Sequence, residues 1–139
     1  MIVDYVGDYE PYKGSKQAAG YDLQAMTDKP IKINPGTYAE IKTGIHAQPL
    51  PDYVGLLFIR SGLSKRGLRL TTGVSVIDPD YTGDIICCVY NDSDDVQTIY
   101  GGDRIAQIVY VRCADVTWNR VDHLRETERS SGGFGSTGV

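Results

Sequence analysis

Carboxylate and guanidinium groups stand at several turns of this 139-residue chain. Asp22, Asp78 and Asp103 each lie where an apolar run meets Gly, Pro or Asp residues, and Arg60 begins an Arg-Ser-Gly sequence. Any one of these aspartates is most simply a turn-capping residue. Together, the carboxylates could hold a metal ion or a water molecule, and the arginine could bind phosphate. The set therefore predicts phosphoryl chemistry on a nucleotide.

No sequence signal indicates a nucleophilic side chain paired with a base. His46 and His123 stand alone, and the three cysteines form neither a CxxC pair nor a Cys/His cluster. We therefore expect no structural zinc site, and we interpret Cys87, Cys88 and Cys113 as buried, reduced thiols. Nucleophilic catalysis by a Ser–His or Cys–His pair is therefore not expected.

The C-terminal stretch, residues 129–139, differs in composition from the rest of the chain. It reads Arg-Ser-Ser-Gly-Gly-Phe-Gly-Ser-Thr-Gly-Val, in which only Phe134 and Val139 could anchor to a core. One interpretation is a disordered tail. The other is a mobile flap, in which Arg129 supplies charge, the glycines allow close wrapping and Phe134 offers a stacking face.

Composition and turn spacing predict the elements that position these groups. Val and Ile together number 24 against only 4 Glu, which favours strands over helices. Short apolar runs separated by Gly, Pro, Asn and Asp residues predict an all-β sandwich or barrel. The predicted strands are residues 2–6, 29–33, 38–44, 53–59, 68–77, 85–90, 96–100 and 105–111.

One short helix is predicted at 61–67, with Ser61 as its cap and Gly67 at its end. The free N–H groups of its first turn would lie beside Arg60, which suits a phosphate.

Charge and hydropathy limit the partners. With 14 Lys+Arg against 18 Asp+Glu, the net charge is -4, which disfavours a nucleic acid as partner. No apolar run is long enough to span a membrane. Because the segment beginning at Met1 lacks a basic-then-apolar leader pattern, we expect a cytoplasmic protein, in the host cytoplasm if it is viral.

Five segments, in order, resemble the motifs of the homotrimeric dUTPases (deoxyuridine triphosphate nucleotidohydrolases). They are residues 18–25, 60–67, 73–83, 102–108 and 129–138. Each is weak alone, but five in register across nearly the whole chain make a specific signal.

The resemblance implies a distorted jelly-roll barrel or sandwich, with one short helix after motif two, that assembles as a homotrimer. It divides the chain into a jelly-roll domain, residues 1–128, and a flexible flap, residues 129–139. It implies Mg²⁺-dependent hydrolysis of dUTP to dUMP and pyrophosphate by water attack at the α-phosphorus. This activity keeps uracil out of DNA and supplies dUMP for dTMP synthesis. Each active site would combine three chains: motifs one, two and four from one, motif three from a second, and the flap from a third.

The resemblance also implies a role for individual residues. Asp78 matches the carboxylate that holds the attacking water, and Asp22 the one that reaches Mg²⁺ through water. The implied phosphate contacts are Arg60, Ser61, Gly62 and Gln107. The segment 72–86, expected to be a hairpin, would form the uracil and deoxyribose pocket with Thr72, Gly73, Val76, Ile77, Tyr81 and Ile86, and Tyr81 would pack under the sugar. The flap residues that would close over the nucleotide are Arg129, Phe134, Gly135 and Ser136.

Several positions depart from the family pattern. Thr72 stands where many members have Asn, and Ser75 stands where Gly is usual. Thr72 can make one hydrogen bond but lacks the paired geometry of an amide. Ile59 replaces Pro before the motif-two arginine, and motif three carries Pro79 and Thr82.

Two alternatives remain open at this stage. The dCTP deaminases share the jelly roll, although the Gly-rich tail fits the hydrolases better. A regulatory module could instead contact a partner protein through the N-terminal aromatic and acidic cluster. That cluster consists of Tyr5, Tyr9, Tyr12, Asp4, Asp8 and Glu10.

Overall fold

The computed structural model describes residues 1–138, and Val139 lies outside the described residues. Within that range the chain forms eleven strands and one short helix, which confirms the all-β prediction. The elements are β1 (Asp4–Val6), β2 (Tyr21–Gln24), β3 (Ile31–Ile33), β4 (Tyr38–Lys42), β5 (His46–Gln48), β6 (Tyr53–Ile59), α1 (Ser61–Lys65), β7 (Leu68–Leu70), β8 (Ser75–Ile77), β9 (Ile86–Asn91), β10 (Gln97–Ile99) and β11 (Arg104–Arg112).

The strands form two larger antiparallel sheets and two short pairs. One sheet has the order β2-β11-β6-β8 and the other β4-β9-β7, while β1 pairs with β5 and β10 with β3. Buried aliphatic side chains of both larger sheets belong to one core cluster, as Leu57 and Ile108 do from the first sheet and Ile41 and Val89 from the second. The sheets therefore pack face to face as a sandwich that does not close into a barrel.

Each of the eight predicted runs contains a strand; one run is divided, and two strands are additional. The predicted run 68–77 is two strands, because the chain turns at Gly73, which has a φ of +73°. The two parts then join different sheets: β7 pairs with β9, whereas β8 pairs with β6. The strands that sequence did not predict, β2 and β5, are short and carry polar residues.

The helix α1 lies inside motif two, but Ser61 is not its cap. Arg60 occupies the cap position with an extended backbone, and no side chain caps the helix. The backbone carbonyl of Arg60 accepts bonds from the N–H groups of Leu63 and Ser64, both 3.0 Å long. Gly67, at a φ of +80°, ends the helix as predicted.

Regular structure ends with β11. Residues 113–138 contain no helix or strand, and Trp118 and Leu124 are almost fully exposed in the tail. The predicted boundary at residue 129 therefore falls within a segment that already lacks regular structure from Cys113 onward.

The three cysteines differ in environment. Cys87 is fully buried, and burial raises the pKa of its thiol to about 12. Cys88, on the other face of β9, is partly buried, whereas Cys113 is exposed, contrary to the expectation for this residue. No helix within residues 1–138 is long and apolar enough to cross a membrane.

Candidate functional site

Asp22 is positioned by backbone pairing on two sides. Asp22 belongs to β2 and lies opposite Gln107 of β11. On its other side it exchanges two backbone hydrogen bonds with Tyr12, 2.7 and 3.1 Å long. Gly20, two residues earlier, packs closely against β11, since a Cβ there would lie 2.6 Å from Oε1 of Gln107 and 3.1 Å from both the carbonyl oxygen of Ile108 and a methyl carbon of Val109. Local packing therefore fixes motif one against motif four.

The Asp22 carboxylate is shared by two arginines. Its Oδ2 lies 3.2 Å from Nε of Arg60 and 3.3 Å from a terminal nitrogen of Arg104. The aspartate side chain is only 13% exposed, whereas those of Arg60 and Arg104 are 33% and 42% exposed. Two cations around one anion leave a net positive charge at the surface, which is suited to a phosphate.

The Arg60-Ser61-Gly62 segment is held at the same edge of the molecule. The backbone N–H of Arg60 donates to the carbonyl of Ile105 at 3.1 Å, which ties motif two to motif four. Ser61 and Gly62 are exposed, and a Cβ on Gly62 would meet no atom within 4 Å. First-turn N–H groups lack partners within a helix, so this open face offers donors to an anion.

The segment 72–86 is not the two-stranded hairpin that the resemblance implies. β8 pairs with β6, and β9 pairs with β4 and β7, so the segment links the two sheets. The Thr72 and Ser75 hydroxyls form a 2.7 Å hydrogen bond beside the turn. The Tyr81 hydroxyl donates to the carbonyl of Asp84 at 2.8 Å, which fixes its half-exposed ring.

Several groups on this segment face solvent. Asp78 is exposed, and its carbonyl accepts a bond from the N–H of Tyr81 at 3.1 Å. Val76 is 62% and Ile86 37% exposed, while Ile77 is partly buried. The segment therefore presents an apolar surface beside an accessible carboxylate.

A single chain does not bring Asp22 and Asp78 together. β2 and β8 are the opposite edges of the four-stranded sheet, three strand spacings or about 14 Å apart. The row of paired residues through Asp22 crosses β6 at Phe58, whereas Ile77 pairs with Gly55. Asp78, one residue beyond Ile77, is therefore offset from Asp22 along the strands by four residues, or about 13 Å.

The flap residues contact one another rather than the other candidate residues. Nε of Arg129 donates to the carbonyl of Gly132 at 2.8 Å, and the N–H of Ser136 donates to the carbonyl of Gly133 at 3.1 Å. Phe134 is fully exposed at a φ of +47°. Within the described residues, the flap therefore stands away from the groups on the sheets.

The residues at Asp22 fit a magnesium ion that binds together with phosphates. The described residues contain no cluster of three or more His, Cys, Asp or Glu side chains that could form a cage. Mg²⁺ keeps several waters and commonly takes only one or two carboxylates plus substrate phosphates. Both arginine contacts fall on Oδ2, and among residues 1–138 no ion pair or hydrogen bond is made by Oδ1, which can face a hydrated ion.

Two residues of this site were not predicted from sequence. Arg104 binds Asp22, and its guanidinium carbon lies 4.9 Å from the centre of the Tyr12 ring. Arg104 lies within motif four, but nothing in its spacing shows that it points to Asp22. Tyr12 belongs to the N-terminal aromatic cluster, and its place in the sequence carries no sign of its backbone pairing with Asp22 or of its contact with Arg104.

The fold and the site define an all-β protein with a cationic surface that is suited to binding phosphate groups. A family model described as dUTPase matches residues 10–138, so the chain belongs to the dUTPase family. It is 44% identical over 131 residues to a deoxyuridine 5'-triphosphate nucleotidohydrolase of Desulfitobacterium hafniense, covering 93% of this chain and 87% of that protein.

Solved structures agree with this assignment. A mutant of the Staphylococcus bacteriophage 80alpha dUTPase, solved with dUpNHpp, superposes with a TM-score of 0.86 at 25% identity, covering 99% of both chains. A mutant dUTPase from phage phi11 of S. aureus, with a coordinated structural Mg(II) ion, has the same fold at a TM-score of 0.77 and 23% identity, over 88% of this chain and 98% of that one.

Proposed function

We propose that this chain hydrolyses dUTP to dUMP and pyrophosphate, by attack of a water molecule on the α-phosphorus. The observation that carries the proposal is the cationic surface formed by Arg60 and Arg104 around Asp22, in a chain of the dUTPase family. In the cell, the activity would keep uracil out of DNA and supply dUMP for dTMP synthesis. We expect it in the cytoplasm, or in the host cytoplasm if the protein is viral.

The triphosphate would bind at the Arg60 edge. Arg60 supplies a guanidinium, Ser61 and Gly62 supply an open backbone, and Gln107 supplies a side-chain amide beside Asp22. Guanidinium and amide N–H groups are suitable donors to phosphate oxygens. A Mg²⁺ ion, when bound, would neutralise phosphate charge and orient the chain of phosphates, and Asp22 would hold it through water.

Asp78 would orient and polarise the attacking water. The carboxylate is exposed, and its own backbone is fixed by the bond from Tyr81. Most of its effect would come from positioning the water in line with the α-phosphorus.

The base and the sugar would bind at the segment 72–86. Backbone groups near Gly73 and the exposed apolar side chains can enclose uracil, and the fixed Tyr81 ring offers a face to deoxyribose. The Thr72–Ser75 hydroxyl pair would face the base, where hydrogen bonds discriminate between nucleobases.

The separation of Asp22 from Asp78 supports a homotrimer with shared sites. A ligand that touched both carboxylates on one chain would have to cross the four-stranded sheet. Two neighbouring chains can instead supply one edge each, and the flap of the third chain, with Arg129, Phe134, Gly135 and Ser136, would close over the nucleotide.

The contacts of the N-terminal cluster do not favour a partner protein. The Tyr9 hydroxyl accepts a 2.9 Å bond from the N–H of Gln24, and Tyr12 stacks on Arg104. Two of its three tyrosines thus make contacts within the chain, and one of them, Tyr12, contacts Arg104 of the site.

Pyrophosphate release from dUTP, dTTP, dCTP and UTP, with and without Mg²⁺, tests the proposal. We expect dUTP with Mg²⁺ to be the preferred substrate, and Asp78→Asn to lower turnover by about a hundredfold or more. Asp94→Asn removes an exposed carboxylate in the turn after β9 and serves as the matched control. Ammonia release from dCTP would indicate a deaminase instead, and unchanged turnover in Asp78→Asn would overturn the water role.

A further inference from the structure

We infer that Arg104 and Tyr12 are positioning residues that hold the Asp22 carboxylate in place, so that Arg60 can leave it and bind the phosphates. The inference rests on the proposed function, because it assigns different tasks to the two arginines that share Asp22.

The two arginine contacts are not equivalent. Arg104 donates a hydrogen bond to Oδ2 of Asp22, whereas Arg60 approaches the same oxygen at 3.2 Å as an ion pair without hydrogen-bond geometry. Oδ2 of Asp22 thus has two arginine partners: Arg104, held by a directed hydrogen bond, and Arg60, held mainly by charge. The second partner is the easier to displace.

Arg104 is held from two directions. Its guanidinium stacks 4.9 Å from the Tyr12 ring centre while it binds Asp22. Tyr12 and Asp22 are themselves joined by two backbone hydrogen bonds, so both partners of Arg104 are fixed to each other. A guanidinium that stacks on an aromatic ring and binds a carboxylate is well fixed.

A β-bulge aims Arg104 at this pair. Along β11, Arg104 pairs with Gln24 and Ala106 with Leu23, so two steps on β11 oppose one step on β2. Bulges of this kind redirect a side chain and are common beside active sites. The irregularity lies next to Asp22, so a redirected Arg104 side chain can reach the Asp22 carboxylate.

Arg60 has a fixed backbone, and its side chain lacks a directed hydrogen bond to Asp22. Its N–H is bound to Ile105, and its side chain is one-third exposed, so a phosphate can reach the guanidinium. When phosphate oxygens compete for that guanidinium, Asp22 keeps its hydrogen bond to Arg104. The carboxylate is therefore neither left unpaired nor free to rotate, and Oδ1 stays available to a hydrated ion.

Binding of a non-hydrolysable imido analogue of dUTP, measured by calorimetry with and without Mg²⁺, tests this division of tasks. With Mg²⁺, we expect Arg104→Met and Tyr12→Leu each to raise Kd on the order of fivefold, and Tyr12→Phe, which keeps the ring, to stay within about twofold. The double variant Tyr12→Leu/Arg104→Met should bind no worse than Arg104→Met, because Tyr12 acts through Arg104. Without Mg²⁺, the losses should shrink, since the position of Asp22 then matters less.

The chain contains a matched control. Arg69 stacks 4.4 Å from the Tyr90 ring and binds Asp92 at 2.7 Å, which repeats the same arrangement away from Asp22. Arg69→Met and Tyr90→Leu should leave Kd within about twofold. Additive losses in the double variant, equal losses with and without Mg²⁺, or the same loss in Arg69→Met would each overturn the inference. Failure of the wild-type protein to bind the analogue would instead count against the proposed function.

Discussion

Mixed trimers offer a direct test of the shared site. The perturbation pairs two variants, Asp22→Asn and Asp78→Asn, each expected to be nearly inactive alone. Because β2 and β8 are opposite edges of one sheet, about 14 Å apart, we expect the two carboxylates of one chain not to serve the same nucleotide. A site would then take its Asp22 and its Asp78 from different chains.

The expected recovery follows from three-fold symmetry. In a ring of three that contains both variants, one junction places an intact Asp22 beside an intact Asp78, and the other two do not. Trimers that contain both variants should therefore show about a third of wild-type turnover. Random assembly from equal amounts, which also forms inactive trimers of one variant, should show about a quarter.

The assay needs two affinity tags and one activity measurement. The variants are co-expressed with different tags, mixed trimers are isolated by sequential purification, and pyrophosphate release from dUTP is compared with wild type. Trimers that carry two tags on one variant give the background. Mixed trimers no more active than that background would show that each site is built within one chain, which would refute the reasoning from sheet edges.

Three further predictions concern the flap, the packing at Gly20 and the thiol of Cys87. Deletion of residues 129–139 should leave thermal unfolding almost unchanged, because the described flap residues pack against no core, but should lower kcat/KM sharply; full activity would contradict the flap role. Gly20→Ala should cost about 1–3 kcal/mol in unfolding free energy, because its Cβ would displace the Gln107 side chain and lie 3.1 Å from both the Ile108 carbonyl oxygen and a Val109 methyl, whereas Gly14→Ala, whose nearest neighbour is 4.0 Å away, should cost under about 1 kcal/mol in chemical denaturation. Burial in the folded chain raises the pKa of the Cys87 thiol from its ordinary value of 9.0 to about 12, so the thiol ionises at lower pH in the unfolded chain than in the folded one. The unfolding free energy should therefore fall above pH 9 by about 1.4 kcal/mol per unit, and Cys87→Ala should remove that part of the slope in denaturant titrations.

Sequence predicted those parts of the fold that depend on local pattern. The run 53–59 reads as a strand because it is apolar throughout, and the structure places β6 there with the same bounds. β2, by contrast, has only four residues and includes Asp22, and it is a strand because it pairs with β11 over eighty residues later. Such long-range pairing leaves no local signal.

For the candidate site, too, some residues could be predicted from the sequence, and others depend on long-range strand pairing. Motif resemblance points to Asp22, Arg60 and Gln107, and the structure brings the three together, since Arg60 contacts the Asp22 carboxylate and Gln107 pairs with Asp22. It could not reveal that Arg104 shares the Asp22 oxygen, because the bulge that redirects Arg104 depends on the β2–β11 register. Motif content also could not show that Asp78 lies at the far edge, which is a property of strand order alone.

The segment between β8 and β9 has a further consequence for the exchange of backbone amide protons. Its two ends are anchored in different sheets, so opening either sheet disturbs residues 78–85. A nucleotide bound to that segment opposes both openings, since ligand that binds only the closed form must dissociate first. Amide protection on adding nucleotide should accordingly rise in β6 and in β4, although neither strand need touch the ligand.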